Sequence, residues 1–303
     1  MSACICGKGP QTLRPARRIV GVSASIESAR AHYAARVTAG IQDGEARRAL
    51  VEAFTRVPRE RFLGPPPWRV YSPHGHIATL EDDPRAVYHD ALVVLSAEQG
   101  INNGQPSLHA RCLAAVHPRP GESAVHVGAG TGYYSALLAE LVGPQGHVHA
   151  YEIEANLAER AANALGDRAN VSVHAQSAFA APLPPADVLY VNAGASHPPD
   201  EWLTALRPGG RMIFPLTADD GAGVMLLIEH ARQPQRGEHD RARVVAHVQF
   251  IGCSGARDRL QAERLSQAFA RGGVEQLRSL RRGTPPDASC WCAGAGWWLS
   301  ADD

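Results

Sequence analysis

The sequence lacks an excess of charge of either sign. Its 303 residues carry 30 basic side chains against 30 acidic ones, and the isoelectric point is about 7.2. Because no net charge draws such a chain to polyanions, we expect neither nucleic acid nor a membrane as a partner. Long hydrophobic runs are also missing, since none approaches the roughly 18 residues of a membrane span. These absences favour a soluble, cytoplasmic protein.

The cysteine spacing of structural zinc sites is absent too. Cys4 and Cys6 lie near one end of the chain and Cys290 and Cys292 near the other, whereas structural zinc sites usually use C-x₂₋₄-C. We therefore expect reduced thiols and no metal, with a zinc shared by the two pairs as the alternative. Residues 1–26 contain no acid, no apolar core and no clear amphipathic period, so we interpret them as an arm rather than a targeting peptide.

The most informative stretch runs from residue 122 to residue 152. A short β-branched run leads into the glycine-rich turn 128–132, a helical pattern follows, and a second short strand ends at Glu152. Strand, glycine turn, helix, strand and acid make half of a nucleotide-binding unit, in which the acid accepts the hydroxyls of a ribose. The stretch predicts a bound nucleoside, with a ligand-free tight turn as the alternative.

Position 133 distinguishes two classes of nucleoside ligand. The dinucleotide fingerprint requires glycine or alanine one place beyond Gly132, where a pyrophosphate approaches the helix. This chain has Tyr133 there. The pattern therefore favours S-adenosylmethionine, which has no phosphates.

Strand and helix patterns alternate through the rest of the chain as far as residue 251. Five βα units and a terminal strand pair predict an α/β fold, a Rossmann-like seven-stranded methyltransferase sheet flanked by helices. We add an N-terminal cap of helix and loop and a C-terminal helical extension, whose aromatic segment 290–300 is expected to pack as a plug on the domain. The predicted division is an N-terminal arm (1–44), a cap with the substrate loop (45–120), an S-adenosylmethionine-binding domain (121–252) and an extension (253–303).

Six segments resemble the protein-L-isoaspartate O-methyltransferase family, over about residues 47–251. They are VPRERF (57–62), YHDALVVL (88–95), the Gln105-Pro106 loop entering a helix, VHVGAGTGYYSALLAELVG (125–143), YVNAGA (190–195) and LRPGGRMIFPL (206–216). The resemblance implies an S-adenosylmethionine-dependent enzyme that methylates an isoaspartyl or other aspartate-derived carboxylate of a protein or peptide, as in protein repair.

The acceptor loop departs from the family pattern. That pattern reads Thr-Ile-Ser-Gln-Pro, with the hydroxyl residue beside the acceptor, whereas this chain has Asn102, Asn103, Gly104, Gln105 and Pro106. Gly104 thus stands at the position of the serine. We place the catalytic site at the first four of these residues and expect Gly104→Ser to raise activity on isoaspartyl peptides.

Two further departures concern the cofactor. His126 replaces the usual acid before the first glycine, and Gln176 or Ser177 replaces the acid at the end of the third strand. Amide and imidazole groups can bond the same partners as an acid. The residues predicted to contact the cofactor are His126, Gly128, Ala129, Gly130, Thr131, Gly132, Tyr133, Glu152, Gln176, Ser177 and Asn192.

The chemistry of the acceptor leaves alternatives. A carboxylate, with a reference pKa of about 3.9, is ionised at neutral pH and needs no base, which suits a loop of amides. An amine or hydroxyl acceptor would require a base, for which His89, Asp90 and His109 are nearest, although His109 is expected to be a packed helix residue. A methyltransferase for a natural-product peptide or small metabolite, and a non-catalytic cofactor-binding protein, are the other hypotheses.

Overall fold

The computed structural model describes residues 25–71, 77–80, 82–233 and 239–303. The predicted arm up to residue 24, with Cys4 and Cys6, lies outside these residues. The helices are α1 (Ile26–Val37), α2 (Gly44–Arg56), α3 (Pro106–Val116), α4 (Tyr133–Val142), α5 (Ala155–Leu165), α6 (Asp200–Ala205) and α7 (Arg259–Arg271). None of these described helices is long and apolar enough to cross a membrane.

Most strands belong to one mixed sheet. The strands are β1 (Arg69–Tyr71), β2 (Ile77–Thr79), β3 (Val94–Ser96), β4 (Ile101–Asn102), β5 (Ser123–Val127), β6 (His147–Tyr151), β7 (Val171–His174), β8 (Ala186–Val191), β9 (Leu206–Thr217), β10 (Ala222–Glu229), β11 (Asp240–Gln249), β12 (Ser279–Arg282), β13 (Cys290–Ala293) and β14 (Trp297–Ser300). The sheet order is β13-β14-β12-β11-β10-β9-β8-β5-β6-β7.

The parallel half of this sheet positions the site. Strands β5 to β9 pair in parallel, and their carboxyl ends therefore meet at one edge of the sheet. Central strand β8 is almost wholly buried and is apolar from Val188 to Val191, because helices and loops cover both faces of a parallel sheet. Strands β10 and β11 follow as an antiparallel pair. The predicted seven-stranded sheet is thus confirmed as β5 to β11.

The segment after residue 252 differs from the predicted helical extension. Helix α7 ends at Arg271, and Gly272 and Gly273 follow with φ values of 78° and 82°. Strands β12, β14 and β13 then add to the sheet beside β11. The helical prediction is wrong for residues 279–281, because the paired sheet edge overrides their local preference. The aromatic segment packs as predicted, since its three tryptophans are buried.

The N-terminal helices α1 and α2 lie on one face of the sheet, with α4 between α2 and the strands. Ten-residue α4 is buried on nearly every side, because it lies between α2 and strands β5 and β6. Tyr33 of α1 and Phe54 of α2 are fully buried in the same hydrophobic cluster. Helix α1 therefore packs on the body, although it lies within the segment 1–44 predicted to be an arm.

A buried arginine links this cap to the acceptor loop. Arg59, fully buried, donates to the backbone carbonyls of Val87 at 2.7 Å, His89 at 2.6 Å and Ala91 at 2.8 Å. Its guanidinium lies over the Tyr33 ring, at 5.6 Å from the ring centroid. The fork of Arg59 thereby fixes the backbone that leads into β3 and β4.

Candidate active site

A cavity of about 830 Å³ lies at the carboxyl ends of β5, β6, β7 and β8. Ligands of open α/β sheets bind at this edge. The predicted site residues that line the cavity are Asn102, Asn103, Gly104, Gln105, Gly128, Ala129, Gly130, Thr131, Glu152, Gln176, Ser177 and Asn192. We call residues 128–131, 152, 176–177 and 192 the cofactor wall, and residues 102–105 with the side chains packed on them the acceptor wall.

The glycine turn holds its shape through bonds to the end of β6. The amides of Gly128 and Ala129 both donate to the carbonyl of Tyr151 at 3.0 Å, and the amide of Gly130 donates to the Glu152 carboxylate at 2.6 Å. Gly130 has a φ of 57°, a left-handed conformation that glycine adopts without strain. At its glycines, the turn therefore presents only backbone atoms to the cavity.

Glu152 is a buried acid whose carboxylate oxygens can accept further hydrogen bonds. Its carboxylate is held by the amides of Gly130 and Glu154, one on each oxygen, and only 6% of the residue is exposed. Burial raises the pKa of this carboxyl, while the two backbone amides act in the opposite direction. Since each carboxylate oxygen has two lone pairs, both can accept a further hydroxyl, as a ribose diol requires.

Three buried polar atoms of the cavity lining have no partner among the described residues. They are Thr131 Oγ1, Asn192 Oδ1 and Asn103 Oδ1. Buried polar groups are nearly always hydrogen-bonded, so such atoms gathered around one cavity indicate a polar ligand. Together with the Glu152 carboxylate, these donors and acceptors fit a nucleoside that carries an amino-acid chain.

An apolar platform lies next to the acid. Ile153 directly follows Glu152, lines the cavity and is 52% exposed, which is unusual for a large aliphatic side chain. Gln176 and Ser177 follow β7 at the same end of the cavity. A flat base could pack on Ile153 while the amide and hydroxyl bond its edge. Ile153 was missing from the prediction, although its place directly after the acid was visible in the sequence.

Three predicted cofactor residues lie behind the wall. His126, Gly132 and Tyr133 are not part of the cavity lining. His126 is fully buried, and burial lowers its pKa to about 3, so the ring is neutral. Its Nε2 accepts from Asn192 Nδ2 at 2.8 Å, so Nδ1 carries the proton and donates to Ser135 Oγ at 2.8 Å. The bond to His126 uses Asn192 Nδ2 and leaves Oδ1 without a partner among the described residues.

Tyr133 and Gly132 serve packing between the cap and the sheet. The Tyr133 ring meets Phe54 edge-on at 6.3 Å and lies 5.7 Å from Phe62, between ring centroids. Gly132 has a φ of 91°, and a Cβ atom there would lie 2.6 Å from Leu165 Cδ1 of α5. Both residues therefore shape the start of α4 from the side away from the ligand.

The amides of the acceptor loop are partly occupied by the loop itself. Asn102 Oδ1 accepts from the Gly104 amide at 2.8 Å, and Gln105 Nε2 donates to Asp90 Oδ2 at 3.0 Å. Asp90 also accepts from the amide of Ser107 at 2.8 Å and from its hydroxyl at 2.6 Å, at the start of α3. The base candidates His89 and Asp90 do not line the cavity.

His109 occupies the space beside Gly104. Gly104 has a φ of 70°, and a Cβ atom there would lie 2.2 Å from His109 Nε2. The structure therefore reverses the effect expected of Gly104→Ser, because a serine would be strained and would collide with the imidazole. His109 is packed as expected, and it also lines the cavity together with Tyr134, which the sequence prediction did not include.

Comparison with known proteins shows which family the chain is similar to. Residues 38–256 match the family model described as protein-L-isoaspartate(D-aspartate) O-methyltransferase. The chain is 35% identical to the protein-L-isoaspartate O-methyltransferase of Aeropyrum pernix, over 70% of this chain and 75% of that protein. It is also 35% identical to the same-named protein of Ignicoccus hospitalis, over 60% of this chain and 80% of the relative.

Solved structures agree in fold. A structure named protein-L-isoaspartate O-methyltransferase superimposes with a TM-score of 0.59 at 23% identity, over 82% of this chain and 72% of that one. A Plasmodium falciparum structure that is also titled as a protein-L-isoaspartate O-methyltransferase contains S-adenosyl-L-homocysteine. It superimposes with a TM-score of 0.56 at 18% identity, over 76% of this chain and 99% of that one. Residues 38–256, which the family model matches, include both walls of the cavity.

Proposed function

The chain belongs to the protein-L-isoaspartate(D-aspartate) O-methyltransferase family of S-adenosylmethionine-dependent enzymes, and on that premise we propose that it esterifies an isoaspartyl or other aspartate-derived carboxylate in a protein or peptide. The observation that carries this proposal is the cavity itself. It joins a nucleoside-type wall to an acceptor loop that lacks a free base. Cytoplasmic protein repair is the setting that we propose for this activity.

Each polar side chain of the cofactor wall has a proposed role in binding the cofactor. Glu152 is the proposed acceptor for the ribose hydroxyls, and Gln176 and Ser177 are proposed to bond the adenine edge. Thr131 Oγ1 and Asn192 Oδ1 are the unpartnered atoms available to the polar remainder of the cofactor. When bound, S-adenosylmethionine supplies an electrophilic methyl group on a positively charged sulfur.

The acceptor wall suits a group that is already ionised. A free carboxylate carries its negative charge at neutral pH, so the protein has only to position it and exclude water. Both oxygens of Asp90 are engaged at the start of α3, and His109 is a weak base because burial lowers its pKa to about 3. An amine or hydroxyl acceptor would therefore find no free base among the acceptor-loop candidates His89, Asp90 and His109.

A labelling assay tests the proposal. The protein is incubated with methyl-labelled S-adenosylmethionine and either an isoaspartyl peptide or its aspartyl twin of the same sequence. We expect base-labile label on the isoaspartyl peptide alone, because a methyl ester hydrolyses in base. Label that resists base would indicate an amine or hydroxyl acceptor. Cofactor binding without label on either peptide would contradict the proposed substrate.

A further inference from the structure

Arg111 of α3 carries a positive charge that no described residue neutralises. The residue is exposed and lines the cavity, and its guanidinium has no hydrogen bond or ion pair among the described residues. Within the described lining it is the one side chain with a permanent positive charge. A guanidinium has five N–H donors and cannot lose its charge in a protein. Arg111 therefore offers an unused anion-binding group to whatever enters the cavity.

The other charged side chains of the described lining already have partners. The Glu152 carboxylate is held by two backbone amides, and Glu154 accepts from Gln99 Nε2 at 2.7 Å. His247 Nε2 lies 2.5 Å from Glu275 Oε1. Glu152 and Glu154 make the cofactor end of the cavity negative, so the local field directs an anionic acceptor away from them and toward Arg111.

Arg111 lies beside the acceptor loop but on exposed surface. Ser107, Leu108 and Arg111 all line the cavity, and their spacing places them on one face of α3. Helix α3 begins directly after Gln105, the last residue of the acceptor loop, so Arg111 is roughly 9 Å further along the helix axis. Its guanidinium is thus displaced from the loop toward solvent.

This position is suited to a second group of the acceptor rather than to the carboxylate that reacts. Methyl transfer requires that water be excluded from the reacting atoms, whereas Arg111 is exposed. An ion pair with the reacting carboxylate would also hold its electrons away from the methyl group. The anion that Arg111 binds is therefore expected elsewhere on the acceptor.

We propose that Arg111 is a specificity residue that binds an acidic side chain of the acceptor polypeptide, close in sequence to the methylated residue. This inference rests on the proposed function and adds a preference among its substrates. An extended peptide covers roughly 9 Å in about three residues, so we expect the acid two or three residues from the isoaspartyl residue. A guanidinium binds a carboxylate through two parallel hydrogen bonds, which distinguishes glutamate from glutamine.

Twin peptides that differ by one charge test this preference. Each pair contains an isoaspartyl residue and either glutamate or glutamine at one position, two or three residues away on either side. For the wild type we expect the glutamate twin of at least one pair to have a KM about threefold lower, as for an exposed ion pair, with kcat unchanged. Because salt screens exposed charges, the two KM values should become nearly equal in about 1 M sodium chloride.

Substitutions of Arg111 link the preference to this side chain. Arg111→Ala should bring the KM values of the twins within about 1.5-fold of each other, and Arg111→Glu should reverse their order by repulsion. Arg111→Lys should keep part of the preference, because the charge remains while the planar fork is lost. Arg47→Ala, at an exposed position of α2 that does not line the cavity, is the matched control and should leave the preference unchanged. The dissociation constant of S-adenosyl-L-homocysteine, measured by calorimetry, should stay within about twofold in all four variants.

Two results would overturn the inference and leave the proposed function intact. One is an equal KM for the twins of every pair in a wild type that methylates them. The other is a preference that survives in Arg111→Ala, because a different group would then bind the acid. A wild type that leaves all of the isoaspartyl peptides unlabelled would overturn the proposed function, and this inference with it.

Discussion

The two walls of the cavity are built in different ways. The centre of the cofactor wall depends on backbone, since the turn at Gly130 and the acid Glu152 bond each other within one strand–turn–helix–strand unit, and residues 176–177 and 192 complete the wall from β7 and β8. The acceptor wall depends on side chains from separate elements, because His109 of α3 meets Tyr190 of β8, 81 residues later in the chain. A wall of backbone is set by a local sequence pattern, whereas a wall of packed side chains is set by the whole fold.

This difference separates cofactor binding from acceptor choice. His109 and Tyr190 bond each other without contacting the glycine turn through any hydrogen bond among the described residues, so substitutions there change the acceptor wall and leave the turn unaltered. Substitutions in the turn change the backbone geometry of the cofactor wall. A family can therefore vary its acceptor wall while keeping its cofactor, which agrees with the departures from the family pattern at residues 102–104.

The largest expected effect comes from removing the one acid of the cofactor wall. Glu152→Ala should weaken S-adenosyl-L-homocysteine binding about 100-fold or more, because two hydrogen bonds to a charged group contribute roughly 1.5–3 kcal/mol each. Glu159→Ala, at an exposed position of α5, is the matched control and should change the dissociation constant by less than about twofold. Calorimetric titration measures both. Similar affinities for the two variants would show that the wall does not depend on Glu152.

A pair of glycines tests how closely the turn behind the cofactor wall packs on α5. Gly132 precedes α4 and Gly143 ends it, and both have positive φ, but a Cβ atom would collide with Leu165 only at Gly132. We expect Gly132→Ala to lower the free energy of unfolding by about 2–4 kcal/mol, from strain and overpacking. Gly143→Ala carries backbone strain without a collision, at φ 66° and ψ −175° where essentially only glycine is found, and should lose about 1–3 kcal/mol. Equal losses in urea unfolding would show that contact with α5 is unimportant.

The turn and the acid of the cofactor wall could be predicted from sequence because their signals are local. Apolar strands, the glycine turn and Glu152 fall within about thirty residues, a span that a βαβ unit also covers. The same reasoning assigned His126 and Tyr133 to the wall, whereas the structure places them behind it. Position in a motif gives the neighbourhood of a residue but not the direction of its side chain.

The acceptor wall and the sheet extension could not be predicted for a different reason. His109 lies five residues from Gly104, and nothing in that spacing shows that the ring folds over the loop, because this depends on Tyr134 and Tyr190. Strand β12 has the sequence Ser-Leu-Arg-Arg, and from its charged residues we predicted that the helical pattern of α7 continues. Pairing with β11 and β14 makes it a strand, and such pairing is decided by tertiary contact.

The smallest expected effect compares the two walls by pH. Burial lowers the pKa of His126, behind the cofactor wall, and of His109, in the acceptor wall, to about 3 in each case. The unfolded chain takes up these protons below about pH 6.5 while the folded protein does not. Stability is therefore full above that pH and falls as the pH is lowered toward 3, by at most about 1.4 kcal/mol per pH unit for each histidine. Urea unfolding between pH 7 and pH 5 should show a flatter pH dependence in His126→Asn and in His109→Asn. If the pH dependence of stability becomes flatter by the same amount in both variants, both walls exclude water equally. If the pH dependence is unchanged in His109→Asn alone, the acceptor wall is hydrated.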